Sequence, residues 1–428
     1  MRTHNRIFTV LLLGASVLAA LSGEAIAADV SASGSEDSAM EERFEKSEDV
    51  VTRQQDEDRA QRDEVKADSH DDQADFDLFD AALGVLRETS FHGFGNWAYG
   101  DTNHRNDYTV GETDGSYDNF TGGLNFSAQP HEQLRVQGQI EAHQDEVEFE
   151  WMFAEWYFDE MLQARVGRSK HPFGIYSEIH DIGTLRPFFT VPTSVYGPNG
   201  ISAESYDGIG FTGRYDFAAS WGLAYDLYGG QISLEEESPL AVLEEDDEEE
   251  MGHGGHKAKN VIGGRLVLQT PIEGLSVGSS AYWGQVRTHE ASHDHLVWGF
   301  QGEYLTDDIS IRTEYYHHTE GDDLTVDAVY VEAAYRFFEK FQLAGRWEWS
   351  DDDADGSGGL PSSLKEHQEV AVGLNYWFTP NFVMKTSYHH IWGNRFAFPS
   401  EDRLTTTIES GLLRDKTDMV VAGLQFSF

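Results

Sequence analysis

Residues 418–428 read DMVVAGLQFSF. Val420, Ala422, Leu424, Phe426 and Phe428 fall on one face, and Gly423, Gln425 and Ser427 on the other. A period of two is the signature of an extended strand with one apolar and one wet side. The same zigzag recurs upstream. In 340–350, Phe341, Leu343, Trp347 and Trp349 alternate with Gln342, Arg346 and Glu348. In 366–378, Val370, Val372, Leu374 and Tyr376 alternate with Glu369, Gly373 and Asn375. In 205–217, Ile209, Phe211, Tyr215 and Phe217 alternate with Gly208, Gly210, Thr212 and Arg214; in 132–143, Leu134, Val136 and Ile140 alternate with Arg135, Gln137, Gln139 and Glu141.

Sixteen such segments can be marked: 90–99, 118–127, 132–143, 146–158, 161–169, 205–217, 220–234, 260–270, 274–288, 294–304, 308–318, 324–338, 340–350, 366–378, 381–393 and 417–428. Each comes close to or exceeds the ~9–11 residues that carry a tilted strand across a bilayer. Short turns at Gln129–Glu132, Asp159–Glu160, Phe217–Ser220, Thr270–Gly274, Thr306–Asp308, Phe338–Lys340 and Phe378–Asn381 alternate with connections that are mostly longer. The long ones are 100–117, 170–204, 235–259, 351–365 and 394–416. Short turns at one end and long loops at the other mark a transmembrane barrel.

Composition agrees. The 428 residues include no cysteine, which excludes disulfides, thiolate metal sites and Cys nucleophiles. Acids outnumber bases 76 to 30, so a basic face for nucleic acid is excluded. Apolar residues make up only 39%, and no internal run approaches a spanning helix. Residues 1–27 read as a secretory signal peptide: Arg2 and Arg6, an apolar middle from Ile7 to Leu21, then Ala25-Ile26-Ala27. Residues 28–89 hold 20 acids and 7 bases, a composition that cannot bury enough surface to order itself. They are expected to form a periplasmic extension, disordered or helical, with one short amphipathic helix on Phe76, Phe79, Leu83 and Leu86.

The leader, the terminal Phe428 and the strand number together put the apolar faces toward lipid. The expected fold is therefore all-β, an antiparallel transmembrane barrel of about sixteen strands over 90–428. Trp221, Phe338, Trp377, Phe378 and Trp392 are expected in the aromatic girdles. Segment 146–158 resists a single parity: with Glu148 and Glu150 inside, Glu155 meets lipid, so a bulge is expected there. A barrel this wide encloses water. The residues expected to line it include Arg135, Arg165, Arg214, Arg265, Arg312, Arg346, Lys385, Glu314 and Glu348. Arg336, Glu141, Asp226, Glu303 and Glu332 share that face.

Segment 170–204, KHPFGIYSEIHDIGTLRPFFTVPTSVYGPNGISAE, is too apolar to stay in solvent and is expected to bury itself in the lumen. The run from Arg165 to Gly174, RVGRSKHPFG, resembles trimeric Gram-negative outer-membrane porins, closest to the porin-like proteins grouped with the phosphate-selective type. Gly167, Lys170, Pro172, Phe173 and Gly174 carry the likeness, and the C-terminal strand resembles the one read by the barrel-assembly machinery. The resemblance implies that the third outer loop constricts the pore, here through Lys170, Glu178, Asp181 and Arg186. It implies a homotrimer in lipid and lipopolysaccharide, passing small hydrophilic solutes and ions by diffusion. Phosphate is not carried over: acids far outnumber bases in the barrel segment, and 235–250 alone holds ten acids.

His253 and His256 beside Glu248–Glu250 read as a flexible acidic loop rather than a metal site. Asp351–Asp353 lack the trailing glutamate of a calcium loop. No catalytic motif stands out, Ser387 and His389 being two apart on one strand, and no cofactor is expected. The alternative reading is a plugged structural or metal-binding surface barrel.

Overall fold

The computed structural model describes residues 89–103, 106–108, 110–143, 147–197, 201–217, 220–234, 257–287, 292–321, 324–354, 362–397 and 414–428. The expected leader, the acidic extension, its short amphipathic helix, and His253 and His256 lie outside them.

The strands are β1 (Thr89–Thr102), β2 (Glu112–Thr113), β3 (Ser116–His131), β4 (Leu134–Ala142), β5 (Val147–Asp159), β6 (Leu162–Lys170), β7 (Ser205–Phe217), β8 (Trp221–Ser233) and β9 (Lys257–Gln269). They continue as β10 (Leu275–Arg287), β11 (Ser292–Leu305), β12 (Ile309–Glu320), β13 (Leu324–Phe337), β14 (Phe341–Ala354), β15 (Glu366–Thr379), β16 (Phe382–Trp392) and β17 (Lys416–Ser427). β2 is a two-residue ladder piece; the other sixteen pair antiparallel with their neighbours, and β1 closes on β17. Each expected segment matches one of the sixteen, with ends shifted by a few residues.

The closure uses the terminal aromatics. Gly93 and Phe428 exchange backbone hydrogen bonds of 2.9 and 2.8 Å. The Phe428 ring lies over Gly93 and the Phe426 ring over Gly95, so close that a Cβ on either glycine would fall 2.4 Å from the ring.

Burial is inverted relative to a soluble sandwich. Along β15, Val372 and Leu374 are about half exposed, at 52% and 48%, while Glu369, Ala371 and Asn375 are buried. Ile209, Leu227, Ile262, Leu266, Phe300 and Leu343 are likewise exposed on the outer wall. An apolar belt with a polar interior is stable only in hydrocarbon, so this is an outer-membrane type of fold.

The bulge in β5 is present. Gln139 pairs with Trp151 and Ile140 with Phe149, leaving Glu150 as the extra residue. The parity flip turns Glu155 inward, where Arg165 meets it at 2.6 Å and Arg135 at 3.9 Å. One girdle assignment is corrected. Trp377 faces inward, because β15 puts it on the face of Asn375, and it stacks on the Arg336 guanidinium at 4.5 Å. Phe378 and Phe338 are exposed at the turn end.

Candidate functional site

Residues 171–197 leave β6 and fold into the barrel, and residues 201–204 lead back to β7. The turn begins at Lys170, whose Nζ lies 2.6 Å from Asp181 and 3.8 Å from Glu150. His171 accepts from the Ala203 N–H at Nδ1, so its Nε2 donates to the Tyr228 hydroxyl at 2.6 Å. Burial pushes this imidazole down to about 3, which keeps it neutral. Phe173 is fully buried against Tyr282 and Tyr316. Gly174 has φ +61°, and a Cβ there would strike Tyr196 Oη and Glu314; only glycine fits. The stretch Lys170–Gly174 is thus the corner that aims the chain inward.

From there wall residues pin the segment to the inner face. Glu314 accepts from the Ile175 N–H at 3.0 Å and from the hydroxyls of Tyr196 and Tyr330 at 2.5 and 2.6 Å. Tyr176 bonds Glu332, and Arg312 donates to Tyr176 Oη and the Leu185 carbonyl. Lys385 Nζ donates to the carbonyls of Gly183, Arg186 and Phe188 at 2.6, 2.5 and 3.2 Å. Arg346 reaches the Thr190 carbonyl at 3.0 Å, and Glu348 accepts from the Ser194 N–H at 2.7 Å. On the other wall Asp181 accepts from Gln139 at 2.7 Å, and Glu178 pairs with Arg265 at 2.5 Å. Backbone amides and carbonyls of an irregular segment need such partners in a water-poor place.

The expected lining residues separate into two groups. Glu314, Arg346, Glu348 and Lys385 face inward but are at most 3% exposed, because the segment covers them; Arg312 is covered too. They hold the segment and do not line open space. Arg135, Arg165 and Arg265 keep side-chain exposures of 31%, 25% and 13%, and Arg214 is exposed at the turn end. Of the segment's own residues, Glu178 is exposed at 36%. Lys170 and Asp181 are buried as a pair, and Arg186 is buried, which lowers its guanidinium to about 10. The exposed charges therefore gather on the β4–β9 wall. At the loop end above them, Glu148, Glu150, Glu204, Arg168 and His180 line a polar cleft. Glu155 was singled out from sequence only as a break in parity, not as a partner of Arg165 and Arg135, and the segment carbonyls that Lys385 holds were not singled out at all. A charge unable to face lipid was the available signal for Glu155; the carbonyls gave none.

Ser387, His389 and Glu369 form a relay: Ser387 Oγ to His389 Nε2 is 2.7 Å, and His389 Nδ1 to Glu369 is 2.7 Å. Spacing alone does not make a nucleophile. Ser387 is buried in the ladder between Gly373 and Val421, where strand N–H groups are committed and none is aimed as an oxyanion hole.

No family model and no curated protein matches the sequence. Solved structures do match the fold. The outer membrane channel DcaP of Acinetobacter baumannii is 10% identical over 79% of this chain and 97% of its own, with a TM-score of 0.51. OmpF of Salmonella typhi, solved with daunomycin, is 14% identical over 79% and 97%, TM-score 0.50. OmpT of Vibrio cholerae, in a trimer form, is 12% identical over 79% and 99%, TM-score 0.50. At this identity the likeness is one of fold, and the fold is the barrel of outer-membrane porins.

Proposed function

We infer that this chain is a porin: a water-filled channel of the Gram-negative outer membrane through which small hydrophilic solutes and ions diffuse. The observation that carries this reading is the uneven burial around segment 171–197, which is held by contacts on both walls but seals only one of them. Its anchors on β12–β16 are sealed, while Arg135, Arg165 and Arg265 on the facing wall keep contact with solvent. A passage along that wall would run past Arg135 and Arg165, with the Glu178–Arg265 pair at its edge. Opposed charges across a narrow passage set up a transverse field that discriminates solutes by size and charge. The acidic cleft residues stand before it and enrich cations over about a Debye length. The apolar belt suits lipid and, at the loop end, lipopolysaccharide. Assembly as a homotrimer, with Phe428 read by the barrel-assembly machinery, belongs to the same proposal.

The depth of sealing on β12–β16 also favours the second reading, a plugged barrel without transport. Liposome swelling separates the two. Vesicles carrying the refolded protein should swell in small sugars at rates that fall with solute size. Rates equal to those of empty vesicles for every solute would remove the channel reading.

A further inference from the structure

The geometry points to a second site: His295, His318 and Glu320 bind one divalent transition-metal ion, of the zinc class, inside the loop end of the barrel. The residues lie on β11 and β12, where His295 pairs with Glu320 and Val297 with His318, so all three side chains leave the inner face together. Both imidazoles are fully buried, and the Glu320 side chain is 15% exposed. His295 Nδ1 is 3.0 Å from Glu320 Oε2 and 3.1 Å from His318 Nε2, and those two atoms are 3.9 Å apart. Ligands about 2.0–2.2 Å from a tetrahedral ion stand roughly 3.3–3.5 Å from one another. The three separations straddle that value.

Proton positions favour the ion. Tyr282 Oη donates to the Ile201 carbonyl at 2.9 Å, so toward His295 Nε2, 3.0 Å away, it can only accept. Nε2 therefore carries the hydrogen, and Nδ1 presents a lone pair. His318 Nε2, 3.1 Å away, can donate to that lone pair, but Glu320 Oε2 at 3.0 Å is a second acceptor set against it, and His318 Nδ1 is then left without a partner among the described residues. One divalent ion answers all three atoms. Two histidines and a carboxylate suit zinc or its first-row neighbours, with water in the fourth position. Tyr282 is the partner that orients a ligating imidazole, and through Ile201 it ties the ion to the returning arm of the inward segment.

A second cluster shows what such a site lacks when it is not one. Glu348, His367 and Glu369 also converge, but the Arg346 guanidinium stands 3.1 Å from each carboxylate and already supplies the cation.

The test is cobalt(II) titration of the full-length, detergent-solubilised protein after chelator treatment. One cobalt per chain with the intense visible bands of four-coordination, displaced by zinc, is expected. His318→Ala and Glu320→Gln should abolish the bands. Tyr282→Phe should weaken binding about tenfold. His317→Ala, on the outer face, and a His253→Ala/His256→Ala double variant should leave the bands unchanged. No cobalt uptake, weak six-coordinate bands only, or binding that survives His318→Ala and vanishes in the double variant would overturn the proposal. If His318→Ala fails to fold, the spectrum of the unaltered chain still decides.

Discussion

Lys385 shows how much of the pore's shape one side chain can govern. It holds three carbonyls of a segment about 200 positions earlier in the chain. Each buried carbonyl left without a donor costs about 1–3 kcal/mol. Lys385→Met should therefore loosen the segment, seen as noisy, flickering single-channel currents and faster proteolysis within 171–197. Arg135 and Arg165 are not anchors of the segment, and in the proposed channel they would act on passing ions. Replacing both with glutamine should shift the reversal potential in a salt gradient toward cations, with a permeability ratio changed about twofold or more. Asp181 governs acid tolerance. Burial alone would raise its carboxyl, but the Lys170 ammonium, helped by His180, holds it below the usual range. A depressed carboxylate contributes stability above its unfolded value and loses it only as pH falls through the folded one. The Lys170–Asp181 contact should therefore persist from neutral pH through the ordinary carboxylate range, read as unchanged hydrogen-exchange protection of residues 170–181 at pH 4. Asp181→Asn should release it at every pH. Ser387 should stay unlabelled by a fluorophosphonate, read by mass spectrometry; rapid labelling would promote its relay from wall contact to active centre.

Strands were legible because a single physical rule, alternation, repeats along every one of them. The β5 bulge was legible only as a contradiction: no unbroken parity could keep both Glu150 and Glu155 from lipid. Trp377 was misplaced because its residue type suggested the interface while its parity, the same as that of Asn375, put it inside. Here position outweighs type, and the stacked Arg336 guanidinium gives the buried ring a cation–π contact in place of the headgroups. At the closing pair of strands, Gly93 and Gly95 give room for the rings of Phe428 and Phe426. Gly93→Val or Gly95→Val should force those rings aside at a cost of about 1–3 kcal/mol. The folded fraction, read from heat-modifiable gel mobility, should fall, while the same change at Gly345, where a Cβ meets nothing within 4 Å, should be silent.

For the whole molecule, the sequence told which side of the wall faces lipid, and that the stretch after β6 turns inward follows from its apolar content. What it could not tell is which wall that stretch covers. The anchors are pairs such as Glu314 with Ile175 and Asn375 with the Pro187 carbonyl, 139 and 188 positions apart, and no local pattern links them. For the same reason lining and anchoring arginines look alike in sequence and differ only by what lies over them. Transport requires that solvent run continuously past the pinned segment along the β4–β9 wall. Single-channel recording of the refolded full-length chain in a planar bilayer tests it most directly. Stable, stepwise openings that are ohmic in salt, and altered by Arg165→Glu but not by a charge placed on the outer face, are the predicted result. Insertion into the bilayer without current at any voltage would contradict it.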